Sequence, residues 1–377
     1  MLRENGESIT NIAAHKYNVK KSEGRMANPQ SFYIGGNDEH GINPPTAGKR
    51  TPVMPYINRS FYENEFNRPA KYYFLIACLR SGFNVYDIKP EFRDISISQR
   101  VTRAIRQGLT LIVTYAYNAS ANPTQFSSAN GHKVYYSREN RFSNSSRLLA
   151  FDVSEGLNEE LSTNNLGVGT LTEIGMLRSV NCPAALCECG FMTNLTEAKL
   201  MMDPDFQRQC GDGGCIGVCN NLDVNYEPDV DYAEMPTVRL GSRGNTVKFL
   251  QCYLNLYGNE LSPDGQFGQG TQSAVIKFQR ENGLSADGIV GRNTWRTLLM
   301  QDAVMPVLRQ GSRGVYVRYL QQKLLSKLYP AGAVDGIFGA GTAEAVRQFQ
   351  QENGLTPDGI VGALTWAKIT PIGGGRS

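Results

Sequence analysis

The last third of the chain repeats itself. The segment PTVRLGSRGNTVKFLQCYL from Pro236 is echoed by PVLRQGSRGVYVRYLQQKL from Pro306, and SPDGQFGQGTQSAVIKFQRENGLSADGIVGRNTW by AVDGIFGAGTAEAVRQFQQENGLTPDGIVGALTW. Two copies of one small helical unit must therefore stand in tandem. The two tryptophans of the chain, Trp295 and Trp366, occupy the same place in each copy, 366 − 295 = 71 residues apart. In the first copy a helix follows Gly-Ser-Arg-Gly with apolar residues at Val247, Leu250 and Leu254. Thr271 then opens a second helix carrying Ala274, Val275 and Phe278, again at amphipathic spacing. Asp-Gly pairs beginning at 264, 287, 335 and 358 are turn chemistry, with Gly taking backbone angles that other residues resist. The tryptophans are expected to pack in the cores rather than stack on a ligand.

The letters G-S-R-G, L-Q, D-G-x-F-G-x-x-T, A-V-x-x-F-Q, N-G-L-x-x-D-G-x-V-G and T-W recur in both copies. This pattern closely resembles the three-helix peptidoglycan-binding domain. The resemblance implies that each module holds wall glycan or stem peptide in a groove between its helices, most of the shared letters being scaffold.

The 377 residues allow two or three domains, and 41% hydrophobic composition is enough to give each a core. Lys+Arg of 38 against Asp+Glu of 35 leaves a net charge of +3, too balanced for a nucleic-acid surface or a polybasic membrane anchor. The longest apolar stretches, 72–79 and 109–113, fall well short of the roughly 20 residues that span a bilayer, so no membrane span is expected. The N-terminal MLRENGESITNIAAHKYNVKK has no apolar run behind a basic start. A chain that reaches the cell wall or the outside by another route is expected, as a phage lysin or a spore-associated protein. Cys210, Cys215 and Cys219 lack the paired C-x-x-C units of a structural zinc site, and the eight cysteines read as reduced core residues.

Between residues 30 and 225 apolar strands alternate with amphipathic stretches, which predicts an α/β domain with one sheet and helices outside it. Helices are expected over 62–81 and 144–161, and strands over 84–88, 110–115, 134–136 and 184–189.

Four segments of this region, EHGINPPTAGKRTP (39–52), FYENEFNRP (61–69), LIVTYAYNA (111–119) and PAALCECGFMTNLTEA (183–198), resemble the zinc-dependent N-acetylmuramoyl-L-alanine amidases. In that family the first supplies a His ligand and the second a Glu ligand four residues before an Asn. The third supplies a His ligand at a strand end, and the fourth a catalytic Glu before Gly-Phe. Carried over, these are His40 and Glu63 as ligands of Zn2+ and Glu188 as general base. Such a metal lowers the pKa of its water and polarises the amide carbonyl. Taken singly, His40 after an acidic run would pass for a surface His, and Glu63 for an exposed carboxylate favoured by a helix dipole. Together, in family order, they imply the amidase fold.

The third ligand position falls on Ala116, whose methyl group cannot bind zinc. The family's D-P-G before the first His is here Asn37-Asp38-Glu39. Of the other histidines, His15 lies in the N-terminal extension, and His132 precedes a strand from which it could replace the missing ligand if its loop covers the site. Two alternatives follow: a murein hydrolase that cleaves the muramoyl–L-alanine amide, or a non-catalytic pseudo-amidase, including a structural component of a phage or spore particle.

Residues 4–30 loosely resemble a LysM wall-binding module; the other reading is an amphipathic helix over 9–17 packed on the catalytic domain. The expected division is an N-terminal extension (1–30), an amidase-like domain (31–222), a linker (223–235) and two peptidoglycan-binding repeats (236–300 and 306–370). The acidic linker segment DVNYEPDVDYAE is expected to let the modules move. Such tethering raises the catalytic domain's concentration at the wall.

Overall fold

The computed structural model describes residues 26–41 and 49–370; His15, the 9–17 helix expected there and all of the LysM-like segment before residue 26 lie outside them. Six strands form one sheet: β1 (Tyr33–Asp38), β2 (Asn84–Asp87), β3 (Leu111–Asn118), β4 (His132–Tyr136), β5 (Asn165–Thr170) and β6 (Ala184–Phe191), in the order β2-β1-β3-β6-β4-β5. β1, β2, β3 and β6 are parallel, β4 runs antiparallel to β6, and β5 is parallel to β4. The fold class is thus α/β with a single sheet, followed by two helical modules.

Alternation along β3 sorts its side chains between two cores. Leu111, Val113, Tyr115 and Tyr117 enter the larger core with helices α1 (Asn64–Arg80), α3 (Ser143–Glu160) and α6 (Pro204–Leu222). Ile112 and Ala116 enter a smaller one with Ala104 of α2 (Ile97–Gln107) and Met176 and Leu177 of α4 (Gly175–Arg178). The short α5 (Leu195–Leu200) follows β6.

The helix α6 has an unpromising sequence, CGDGGCIGVC, because each glycine costs helix about 1 kcal/mol relative to alanine. Packing explains its glycines. A Cβ on Gly217 would collide with the backbone of Val153 in α3, one on Gly156 with Gly213 and Gly217, and one on Gly214 with the Tyr115 hydroxyl. The helix is started instead by Asp203, whose side chain caps Asp205 N, and by Pro204 in the first turn. All eight cysteines are free thiols in buried positions, with Cys215 and Cys219 Sγ 4.0 Å apart on α6.

Charged groups lie beneath the end of β1. Lys71 Nζ is 2.7 Å from Asp38 and 2.8 Å from Asp87, and Lys89 Nζ is 2.9 Å from the other Asp38 oxygen. Arg100 adds bonds to Asn37 Oδ1, to the Asp38 carbonyl and to Asp94. Burial alone would raise the Asp38 carboxyl, but Lys71 and Lys89 hold it well below the usual carboxylate range. This network fixes the direction in which the chain leaves β1.

Each C-terminal module has three helices: α7 (Asn245–Leu256), α8 (Gln269–Glu281) and α9 (Arg292–Leu298), then α10 (Val315–Ser326), α11 (Ala340–Glu352) and α12 (Ala363–Ile369). The repeated glutamines hold the Asp-Gly turns. Gln251, Gln279, Gln321 and Gln350 each donate to the turn aspartate, and each accepts the N–H of the following glycine at 2.9 Å. Those glycines have φ of 72 to 75°, the left-handed region that a side chain resists. Trp295 and Trp366 are buried in the cores and donate to the carbonyls of Pro236 and Pro306.

The linker is not the loose tether that its composition suggests. Its acidic and carbonyl oxygens are answered by arginines: Arg80 donates to the Glu227 carbonyl at 2.8 Å and Arg208 pairs with Asp229 at 3.0 Å. Gln301 binds both Tyr232 N and the Val230 carbonyl. The modules are docked as well. In the first, Asn255 donates to the Tyr72 hydroxyl and Lys248 to the Val85 carbonyl. In the second, Lys323 bridges Asp203 and Asp205, and Tyr319 reaches Asp205.

Candidate active site

Open sheets of this kind present chemistry at the carboxyl ends of their parallel strands. Here the chain leaves β1 through Glu39, whose N–H still bonds to the Tyr115 carbonyl at 3.0 Å, and turns at His40 with φ 60°. The following Gly41 leaves no room for a Cβ against the backbone of Asp94. The turn aims the imidazole at the start of α1, where His40 Nε2 is 3.3 Å from Glu63 Oε2. His40 is mostly buried rather than a surface residue, and Glu63 is 1% exposed.

The Glu-x-x-x-Asn spacing at the start of α1 now has a physical purpose. Asn67, one turn after Glu63, donates to Glu63 Oε1 at 3.1 Å and to the Glu39 carbonyl at 2.9 Å. The N–H of Tyr117, beside a register shift between Ala116 and Asn118, donates to the same Oε1 at 3.0 Å. One carboxylate oxygen is thus fixed by two donors while Oε2 faces His40.

Glu188 lies on β6, paired in register with Ala116 of β3 and with Lys133 of β4. Its Oε2 is buried without a hydrogen-bond partner, as are Glu63 Oε2, Glu39 Oε1 and His40 Nδ1. Burial, reinforced by the negative charge of Glu63, pushes the Glu188 carboxyl up to about 8. Burial likewise pushes Glu63 up to about 7, against the opposing charge of Lys49, and raises Glu39. Burial and then Lys49 bring His40 down to about 4, so its imidazole is neutral and available as a donor of an electron pair.

Buried carboxyls with unpartnered oxygens beside a neutral imidazole are suited to a cation, and His40 and Glu63 are the right donor types for zinc. The set is incomplete. Among the described residues no three His, Cys, Asp or Glu side chains converge on one point. Ala116, 3% exposed, supplies no donor. His132 does not replace it: it stands two residues before Val134, which enters the larger core, so alternation turns it away from the face that Ala116 shares with Glu188. Its Nδ1 is held by Thr163 Oγ1 at 2.9 Å. The residues present therefore do not fit a three-ligand catalytic zinc site.

Glu39 and Lys49 belong to the site and are not singled out by sequence reasoning. Glu39 lies in the Asn-Asp-Glu that stands for the family's Asp-Pro-Gly, and that departure was the available signal. Lys49 accepts the Glu63 N–H on its carbonyl and acts by charge on His40, Glu39, Glu63 and Glu188. Lys49, Arg59 and Tyr62 also line an adjoining open cleft of about 940 Å³, closed on its other side by Ala119, Thr124 and Met192.

Residues 41–220 match the N-acetylmuramoyl-L-alanine amidase family, and residues 243–298 and 313–369 each match the peptidoglycan binding domain family. Two proteins of Bacillus licheniformis are similar to the chain. A "Probable N-acetylmuramoyl-L-alanine amidase" is 33% identical over 158 residues, which cover 36% of this chain and 45% of that protein. The N-acetylmuramoyl-L-alanine amidase CwlL is 31% identical over 163 residues, covering the same shares. The chain thus spans less than half the length of these curated relatives. A solved N-acetylmuramoyl-L-alanine amidase from Clostridium difficile 630 is 25% identical with a TM-score of 0.44, over 52% of this chain and 98% of the other.

Proposed function

We propose that this chain, in which an N-acetylmuramoyl-L-alanine amidase domain precedes two peptidoglycan-binding domains, is a murein hydrolase directed at the amide between N-acetylmuramic acid and L-alanine. Its partner is peptidoglycan, glycan and stem peptide together, and its place of action is the bacterial cell wall or the space outside the cell. The observation that carries the reading is Glu188, buried with an unpartnered carboxyl oxygen and near enough to Glu63, the partner of His40, for the two carboxyls to interact by charge.

In this reading Glu188 takes the proton of the attacking water and returns it to the leaving amine nitrogen. A carboxyl that titrates near neutrality suits both halves of that exchange. Asn67 and the Tyr117 N–H hold Glu63, and Glu63 steadies the His40 ring. His40 and Glu63 are two of the three protein donors that a catalytic zinc uses.

One observation favours a second reading, a wall-binding protein whose amidase domain is silent: Ala116 stands where the third donor belongs, in register with Glu188. The deciding experiment measures bound zinc and dye release from labelled peptidoglycan on this chain and on Ala116→His. Stoichiometric zinc and dye release from the unaltered chain would rule out the silent reading. An empty, inactive chain that gains both in Ala116→His would make it a wall binder with a disabled site.

A further inference from the structure

A second cleft, of about 390 Å³, opens where α1 of the sheet domain meets α7 of the first module and α10 of the second. Its lining includes Arg68, Tyr72, Phe92, Leu256, Arg318 and Gln322. Arg68 is 5% exposed, with its guanidinium carbon 4.1 Å from the Phe92 ring centroid and 5.0 Å from that of Tyr72. It donates to the carbonyls of Glu91 and Asn259, and its Nε is buried with no hydrogen-bond partner. Arg318 donates to the Val334 carbonyl at 2.7 Å. Among the described residues neither arginine has a carboxylate within ion-pair distance; Glu281 and Asp335 act on Arg318, and Asp38 on Arg68, only by charge from further away. The one acidic side chain in the lining, Glu65, is already engaged by Arg59 and the Tyr62 N–H.

Two guanidinium groups that line one partly apolar cleft without a carboxylate in direct contact, one of them with a buried N–H left unpartnered, leave room for an anion to bind between them. We infer that this three-domain cleft is a second ligand site that takes a carboxylate of the peptidoglycan stem peptide, the planar acid facing Arg68 and Arg318. A guanidinium fork matches a carboxylate in shape and hydrogen bonding. Leu256, Pro69 and Val334 supply apolar wall for small side chains. The cleft is next to the chemistry, because Asn64 and Glu65 line it in the same first turn that follows Glu63. A strand bound here has its peptide arm held beside the catalytic edge by the sheet domain and both modules at once. The choice of stem peptide among carboxylate ligands rests on the murein reading above.

The test titrates the full chain calorimetrically with a soluble disaccharide-tetrapeptide, with its carboxyls free or amidated, and with acetate alone. The free acid is expected to bind at least about tenfold more tightly than the amide, the loss of one charge-assisted hydrogen bond. Arg318→Gln is expected to weaken the free acid by a similar factor, and in the unaltered chain the Arg68 Nε–H resonance should shift on titration. Equal affinity for acid and amide, or an Arg68 resonance that does not move, overturns the site. Acetate binding as tightly as the muropeptide overturns the stem-peptide assignment. Co-sedimentation with insoluble peptidoglycan runs alongside: wall binding without carboxylate dependence defeats the cleft alone, whereas no wall binding defeats the murein reading itself.

Discussion

Lys71→Met tests whether the buried charges beneath β1 hold the site in place. Lys71 has no exposed surface and touches Asp38 at 2.7 Å, Asp87 at 2.8 Å and the Lys89 carbonyl at 2.7 Å. Two lysines here face two aspartates, so the group is neutral. Removing one lysine strands a buried carboxylate. A one-sided break of a buried pair costs about 3–5 kcal/mol. Methionine retains most of the stem, so little of that cost comes from a cavity. The tryptophans lie in the modules and do not report on this domain. Hydrogen exchange at the Ile34 and Val113 amides does, through opening of the sheet. The pH dependence is a second check. Asp38 is depressed in the fold, so its contribution is complete above the unfolded value of about 3.9 and is lost as pH falls below it. The gap between Lys71→Met and the unaltered chain should therefore be widest near neutrality and narrow below about pH 4. A penalty under about 1 kcal/mol at pH 7, where a one-sided break should cost several times that, or a gap that widens in acid, would refute the reasoning.

His132 is brought down to about 4 by burial, so the unfolded chain binds more protons between that value and about 6.5. Its contribution to stability should be complete above about pH 6.5 and lost as pH falls towards 4; His132→Gln should flatten that part of a stability–pH curve, and an unchanged curve would count against it. Gln350→Leu should destabilise the second module by about 2–3 kcal/mol, because the Asp358-Gly359 turn loses its donor and its acceptor together. Trp366 fluorescence in a Trp295→Phe background reads that module's urea midpoint, and a midpoint that stays put would contradict the clamp. Lys323→Met removes the cation between Asp203 and Asp205 and should loosen the second module, seen as a larger radius of gyration by small-angle scattering; an unaltered radius would place the docking elsewhere.

Long apolar periodicities made part of the fold legible. The expected helix over 62–81 is Asn64–Arg80, that over 144–161 is Ser143–Glu160, and the strand over 110–115 extends to Asn118. What escaped was whatever packing overrides. β5 reads NLGVGT, too rich in glycine to announce a strand, and α6 carries glycines that only its contacts with α3 and Tyr115 explain. β1 ends in Gly-Gly-Asn-Asp, and the Asp38 charge is tolerable only because Lys71 and Lys89, far along the chain, come to meet it. At the site, family order pointed to His40, Glu63, Glu188 and the gap at Ala116. Local pattern could not reveal Glu39 and Lys49, because their influence depends on burial and charge across the fold. Nor could it reveal which way His132 points, since that depends on its register in β4.

The two modules look interchangeable in sequence, yet both turn their first helix towards the sheet domain with different side chains. Seventy residues separate equivalent positions there, so Lys323 corresponds to Tyr253 (323 − 70 = 253) and Leu325 to Asn255 (325 − 70 = 255). Tyr253 lies close enough to Arg80 and Arg208 to feel both charges. Transposed, Lys323 would confront those arginines, Leu325 would leave the Tyr72 hydroxyl without its donor, and Asp203 and Asp205 would meet a phenol in place of an ammonium group. The duplication is thus handed: each copy fits only its own berth, and the order of the repeats is written in charge.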